Sequence, residues 1–180
     1  MKINQIDTYP EALLSCEAKD LHALFPQPTL LHLQGKRTHP LFISVLLHGN
    51  ETTGFLALQR LLNQYATQEL PRSLSIFFGN TRAAESGLRR LDSQPDYNRI
   101  WPGTEIADCP ETQFAKEIVD IMCEKEVFAS IDIHNNTGLN PHYACINKLD
   151  NRYLHLANLF GRLVVYFLRP LGVQSAAFAE

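Results

Sequence analysis

Two histidines and a glutamate lie where apolar runs end. His48 and Glu51 follow the unbroken stretch Leu41–Leu47 (LFISVLL), and His134 follows Val127–Ile133 (VFASIDI), where the chain turns abruptly polar as HNNTG. Imidazole nitrogen and carboxylate oxygen are donors that zinc accepts at about 2.0–2.2 Å, and a catalytic zinc commonly has three protein ligands with a fourth position open. His48, Glu51 and His134 are therefore expected to hold one zinc ion. Taken alone, an HxxE pair is more often the start of a helix with a glutamate favoured by the helix dipole. The metal reading comes from position, because all three ligand types fall at strand ends.

Asp132 precedes His134 by two residues, so in a strand it shares that residue's face and could orient the imidazole; a hydrogen-bonded buried aspartate is the alternative. Asn135 or Asn136 could add support. His22, His32, His39, His142 and His155 lack such a setting and read as surface or loop histidines.

Positioning these groups requires a sheet. Residues 10–24 read as helical and Leu30–Gln34 as a short strand. Leu41–Leu47 is β-branched and continuously apolar, the pattern of a strand covered on both faces. A helix follows from Glu51 to about Tyr65, with Phe55, Leu58, Leu61 and Leu62 at spacings of three and four, and Pro71 closes the segment. Leu74–Phe78 (LSIFF) is the next buried strand. Gly79–Gly103 is polar, basic and broken by Gly and Pro, so it reads as a long functional loop with at most short helices.

Pro110 opens a helix to about Lys125, with Phe114, Ile118 and Ile121 on one face, and Val127–Ile133 is a strand. Arg162–Leu168 (RLVVYFL) looks like one more strand, and no clear closing element follows it. Alternating strands and helices imply an α/β fold, a mixed and largely parallel sheet flanked by helices, whose sites gather beyond the carboxyl ends of the strands.

The bulk composition narrows the function. At 180 residues and 45% apolar, the chain suits one domain over 1–180. With 16 basic and 19 acidic residues intermixed and a net charge of −3, nothing favours nucleic acid or an anionic membrane. Cys16, Cys109, Cys123 and Cys145 form no CxxC pair, so a cysteine zinc knuckle or dithiol redox motif is not suggested. The absence of an apolar leader or spanning stretch leads us to expect a cytoplasmic protein.

Four segments carry a resemblance: HGNETTG at 48–54, GNTRA at 79–83, RRLD at 89–92 with DYNRIWPG at 96–103, and DIHNNTG at 132–138. In this order they resemble the succinylglutamate desuccinylase/aspartoacylase family, which belongs with the zinc carboxypeptidases. The resemblance implies a zinc-dependent hydrolase that cleaves the amide bond of a small carboxylate-bearing N-acyl amino acid, with His48, Glu51 and His134 on the metal. It implies that Asn98 and Arg99 hold the substrate carboxylate and that Arg89, or the adjacent Arg90, polarises the scissile carbonyl. Arg82 reads as part of a solvated basic loop.

A guanidinium forks onto a carboxylate, and a fixed cation stabilises a developing oxyanion. The general base in that family is a glutamate on a later strand in a TxEC-type context. No TxEC segment occurs here, and Glu180 lacks that setting, so we expect the N-terminal part of a longer chain. Two other functions fit the same residues: a metallocarboxypeptidase acting on peptides, and an inactive zinc- or carboxylate-binding module.

Overall fold

In the computed structural model, residues 3–178 are described, and Glu180 lies outside them. The first strand, β1 (Asn4–Ile6), is followed by two short 3-10 turns, Glu11–Leu14 and Ala18–Asp20, and by the single-turn α1 (Leu21–Leu24). The helix expected over 10–24 is thus broken into pieces. Its freed carbonyls are taken by a later helix: Gln59 Nε2 donates to the Leu13 and Cys16 oxygens at 2.8 and 2.9 Å, and Asn63 Nδ2 to Leu14 at 3.0 Å. Tertiary partners replace the hydrogen bonds that a continuous helix would make.

Next come β2 (Thr29–Leu33), β3 (Leu41–Val45), α2 (Thr53–Gln64), β4 (Leu74–Phe78), α3 (Thr81–Glu85), α4 (Pro110–Glu124) and β5 (Ala129–Ile133). The strands order as β1-β2-β4-β3-β5, and every pairing is parallel except β2 with β4. The expected mixed, largely parallel sheet between helices is the observed one.

Side-chain alternation along the strands builds a core on each face. Ile43, Val45, Leu74, Ile76 and Phe78 join Leu13, Leu21, Phe55, Leu58 and Leu62 on one side. Phe42 and Phe77 join Phe114, Ile118, Met122 and Trp101 on the other. Both faces are covered, which is why β3 and β4 read as continuous apolar runs.

Beyond β5 lie β6 (Tyr143–Ile146), α5 (Asn151–Phe160), β7 (Leu163–Tyr166) and α6 (Gln174–Ala177). The strand expected at 162–168 is β7, but it pairs in parallel with β6 in a separate two-stranded sheet. The four-residue α6 is an element that the sequence reading did not include. Among the described residues, no helix is long and apolar enough to cross a membrane.

Candidate metal centre

The metal reading depends on β3 and β5 being neighbours. They run parallel with Val45 opposite Ile133, so both chains leave the sheet at the same end, and the segments carrying His48 and His134 emerge side by side. Regular strand geometry stops at Val45, two residues earlier than expected. Leu46, fully buried, takes a left-handed φ of 57°, which a leucine adopts only when its surroundings impose it.

Gly49 explains how the later loop reaches the same place. A Cβ there would lie 2.2 Å from the Ala84 nitrogen, so only glycine lets α3 approach this closely. The Gly49 N–H donates to the Arg89 carbonyl at 3.1 Å, tying the loop after α3 to the turn that carries His48.

Glu51 is the hub. Its Oε1 lies 2.7 Å from His48 Nδ1 and its Oε2 lies 2.8 Å from His134 Nδ1. Candidate ligand atoms from all three residues fall within 4.8 Å of one another, and His48 and Glu51 are buried. The outer nitrogens of the rings also face carboxylates: His48 Nε2 is 2.9 Å from Asp96 Oδ1, and His134 Nε2 is 2.5 Å from Asp132 Oδ2. Ser44 holds the other Asp132 oxygen at 2.7 Å.

The electrostatics follow from this crowding of anions. Burial pulls both imidazoles toward the neutral form, but it is outweighed. Bonds to Asp96 and Glu51 hold His48 above its ordinary value, and Asp132 with Glu51 raises His134 to about 10. Burial likewise opposes the ionised form of Glu51, yet the two histidines pull it down to about 2; Asp96 is also held below the ordinary carboxylate range. The pocket therefore stabilises positive charge at its centre.

This donor set fits a divalent metal. Two imidazole nitrogens face one carboxylate, and each ring is backed by a second carboxylate, the arrangement that orients metal-ligating histidines. The expectation for Asp132 matches its contact with His134. Of the two asparagines, Asn135 supports the centre, its N–H reaching Glu51 Oε2 at 3.0 Å while its side-chain NH2 holds Thr53 Oγ1 at 2.8 Å at the start of α2. Asn136 bonds the Tyr143 hydroxyl instead.

The loop residues divide. Arg89 donates to Glu51 Oε1 and Asp96 Oδ2, both at 3.1 Å, whereas Arg90 turns to the Gln94 carbonyl. Asn98 Nδ2 lies 3.2 Å from His134 Nε2. That contact brings Asn98 to the centre, while the Arg99 guanidinium donates to the Asn98 carbonyl at 2.5 Å. Arg82 is exposed on α3.

Asp96 escaped the sequence reading, although it stands two residues before Asn98 in the DYNR segment. One carboxylate there binds His48, Arg89 and, at 2.8 Å, the Asn98 N–H. Two of the remaining histidines need correction as well. His22 lies on α1 and meets Thr81, and His32 sits within β2, part-buried between Ser75 and Gln5.

The family model for the succinylglutamate desuccinylase/aspartoacylase catalytic domain matches residues 38–177. The chain belongs to this family. A succinylglutamate desuccinylase from Pseudomonas fluorescens (strain SBW25) is 41% identical over 81 residues, which cover 43% of this chain and 24% of the relative. Among solved structures, the succinylglutamate desuccinylase of Chromobacterium violaceum superposes with a TM-score of 0.69 at 19% identity, over 96% of this chain and 63% of that one. Those of Vibrio parahaemolyticus and Vibrio cholerae give 0.65 and 0.66 at 15% and 13% identity, each over 96% of this chain and over 70% and 60% of theirs. The chain thus has the fold of these family members and spans less than two thirds of the first structure's length.

Proposed function

We propose that this chain, as one domain over residues 1–180, forms the metal-binding part of a zinc-dependent hydrolase. The enzyme cleaves the amide bond of a small N-acyl amino acid that carries a free carboxylate. The observation that carries this reading is the pairing of His48 Nδ1 and His134 Nδ1 with opposite oxygens of Glu51, while a carboxylate backs each ring.

Zinc, when held by His48, Glu51 and His134, supplies Lewis-acid chemistry, drawing electron density from a carbonyl oxygen and making water acidic enough to act as nucleophile near neutral pH. The chain's own residues do the rest. Arg89 uses two N–H groups on Glu51 and Asp96, which fixes its plane, and a guanidinium has five donors. The remaining ones stabilise negative charge developing on the substrate carbonyl oxygen. Asn98 and Arg99 offer donors to the substrate carboxylate, and family relatives named succinylglutamate desuccinylases point to an N-succinyl amino acid as the first compound to test.

A proton must also pass from water to the departing amine. The three carboxylates at the centre, Glu51, Asp96 and Asp132, are already engaged by the histidines. That engagement favours a second reading, a zinc- and carboxylate-binding module without turnover.

Metal analysis and an amine-release assay separate the readings. One zinc per chain, lost in His48→Ala and in His134→Ala, is expected; a chain that stays metal-free after incubation with zinc ends the proposal. Hydrolysis of N-succinyl-L-glutamate selects the enzyme, and zinc binding with probe binding but no hydrolysis selects the module.

A further inference from the structure

A primary amide is ambiguous until a neighbour tells its oxygen from its nitrogen. At Asn98 that neighbour is a backbone donor, the Gln174 N–H, which lies 3.2 Å from Asn98 Oδ1. An N–H can be matched only by the amide oxygen, so the NH2 group is forced to the other side, where Nδ2 lies 3.2 Å from His134 Nε2.

The segment delivering this donor is locked to the same loop. Gly172, at φ 72°, lies against the Arg99 carbonyl so closely that a Cβ would stand 2.5 Å from its oxygen. The Gly172 carbonyl accepts from the Trp101 N–H at 3.2 Å. The Gln174 side chain is buried and donates to Ser130 on β5 at 2.6 Å, while its Oε1 has no partner among the described residues.

We infer that Gln174 is a positioning residue: its N–H sets the orientation of the Asn98 amide, so that Asn98 presents a hydrogen-bond donor, and not an acceptor, beside the metal centre. The consequence for substrate rests on the function proposed above, because a donor there suits a carboxylate or carbonyl oxygen and an acceptor would repel it.

Gln174 is the first residue of α6, and Val173 before it is extended at φ −84° and ψ 147°. Proline fits both conditions, since its missing N–H is tolerated at a helix start and it prefers an extended predecessor. Gln174→Pro therefore removes the donor with little backbone strain, and Gln174→Ala controls for the lost bond to Ser130.

In the zinc-loaded full chain, N-succinyl-L-glutamate is expected to bind roughly 3- to 10-fold more weakly to Gln174→Pro than to Gln174→Ala, the size of one neutral hydrogen bond. Zinc content should be the same in both. Equal probe affinity in the two variants overturns the positioning role. Hydrogen exchange of the Gln174 amide gives an answer that needs neither proline nor substrate. Exchange should quicken in Asn98→Ala and stay slow in Asn98→Asp, which keeps an acceptor oxygen; an unchanged rate in Asn98→Ala sinks the inference. If the wild-type chain binds neither zinc nor probe, the proposed function falls and the exchange measurement alone decides the orientation.

Discussion

Replacing Asp96 by asparagine removes one negative charge and almost no volume from the point where three parts of the centre meet. The carboxylate lies 2.9 Å from His48 Nε2, 3.1 Å from Arg89 Nη2 and 2.8 Å from the Asn98 N–H. Hydrogen bonds to a charged acceptor contribute about 1.5–3 kcal/mol each, against about 0.5–1.5 for neutral ones. The His48 bond matters most for the metal, because it fixes which ring nitrogen is free to ligate. Loss of such an outer partner typically lowers metal affinity about 10- to 100-fold, or ~1.4–2.8 kcal/mol. The zinc dissociation constant of Asp96→Asn, read by competition with a chromophoric chelator, should rise by that factor while far-ultraviolet circular dichroism stays at the wild-type value. Asp96→Ala should in addition lose about 1–3 kcal/mol of stability, since His48 is only 3% exposed and its Nε2 would be left without this partner. A zinc constant for Asp96→Asn within about twofold of wild type would refute the argument that Asp96 orients His48.

Two further outcomes test the frame that carries the centre. Phe77 is fully buried between Trp101 and Phe114, so Phe77→Ala should cost about 3–5 kcal/mol in urea unfolding, and a loss under about 1 kcal/mol would show that this face of the sheet is not packed as described. His32 is pushed down to about 4 by burial first and then by Lys125, partly offset by Asp7, so it stays neutral in the folded chain while the unfolded chain protonates near pH 6.5. Its contribution is complete above pH 6.5 and is lost as pH falls toward 4; with allowance for its partial exposure this is about 1–2 kcal/mol. Unfolding free energies at pH 7 and pH 4.5 should therefore converge in His32→Gln relative to wild type, and parallel losses in the two proteins would contradict the assignment.

The local pattern announced much of this. Leu74–Phe78 is a strand at its expected bounds, and α4 runs from Pro110 to Glu124, within a residue of the expected end. Both follow from information within a few residues: an apolar run with both faces buried, and a proline at a helix start. Other elements left weaker traces. β6 has four residues and no strict alternation, and α5 is marked mainly by Asp150, whose side chain caps the Arg152 N–H at 2.8 Å.

What residue type and position alone supplied was a candidate donor set: two imidazoles and a carboxylate just beyond the ends of strands. Only the tertiary structure decided how they are wired. Asp96 meets His48 across 48 residues, Glu51 meets His134 across 83, and Gln174 meets Asn98 across 76. Such pairings follow from β5 lying beside β3, from Gly49 admitting α3 and from Gly172 lying against Arg99, contacts between distant segments that no window of sequence encodes. Chemistry is carried by side-chain identity, which is local, whereas orientation comes from hydrogen bonds that the fold closes over long loops.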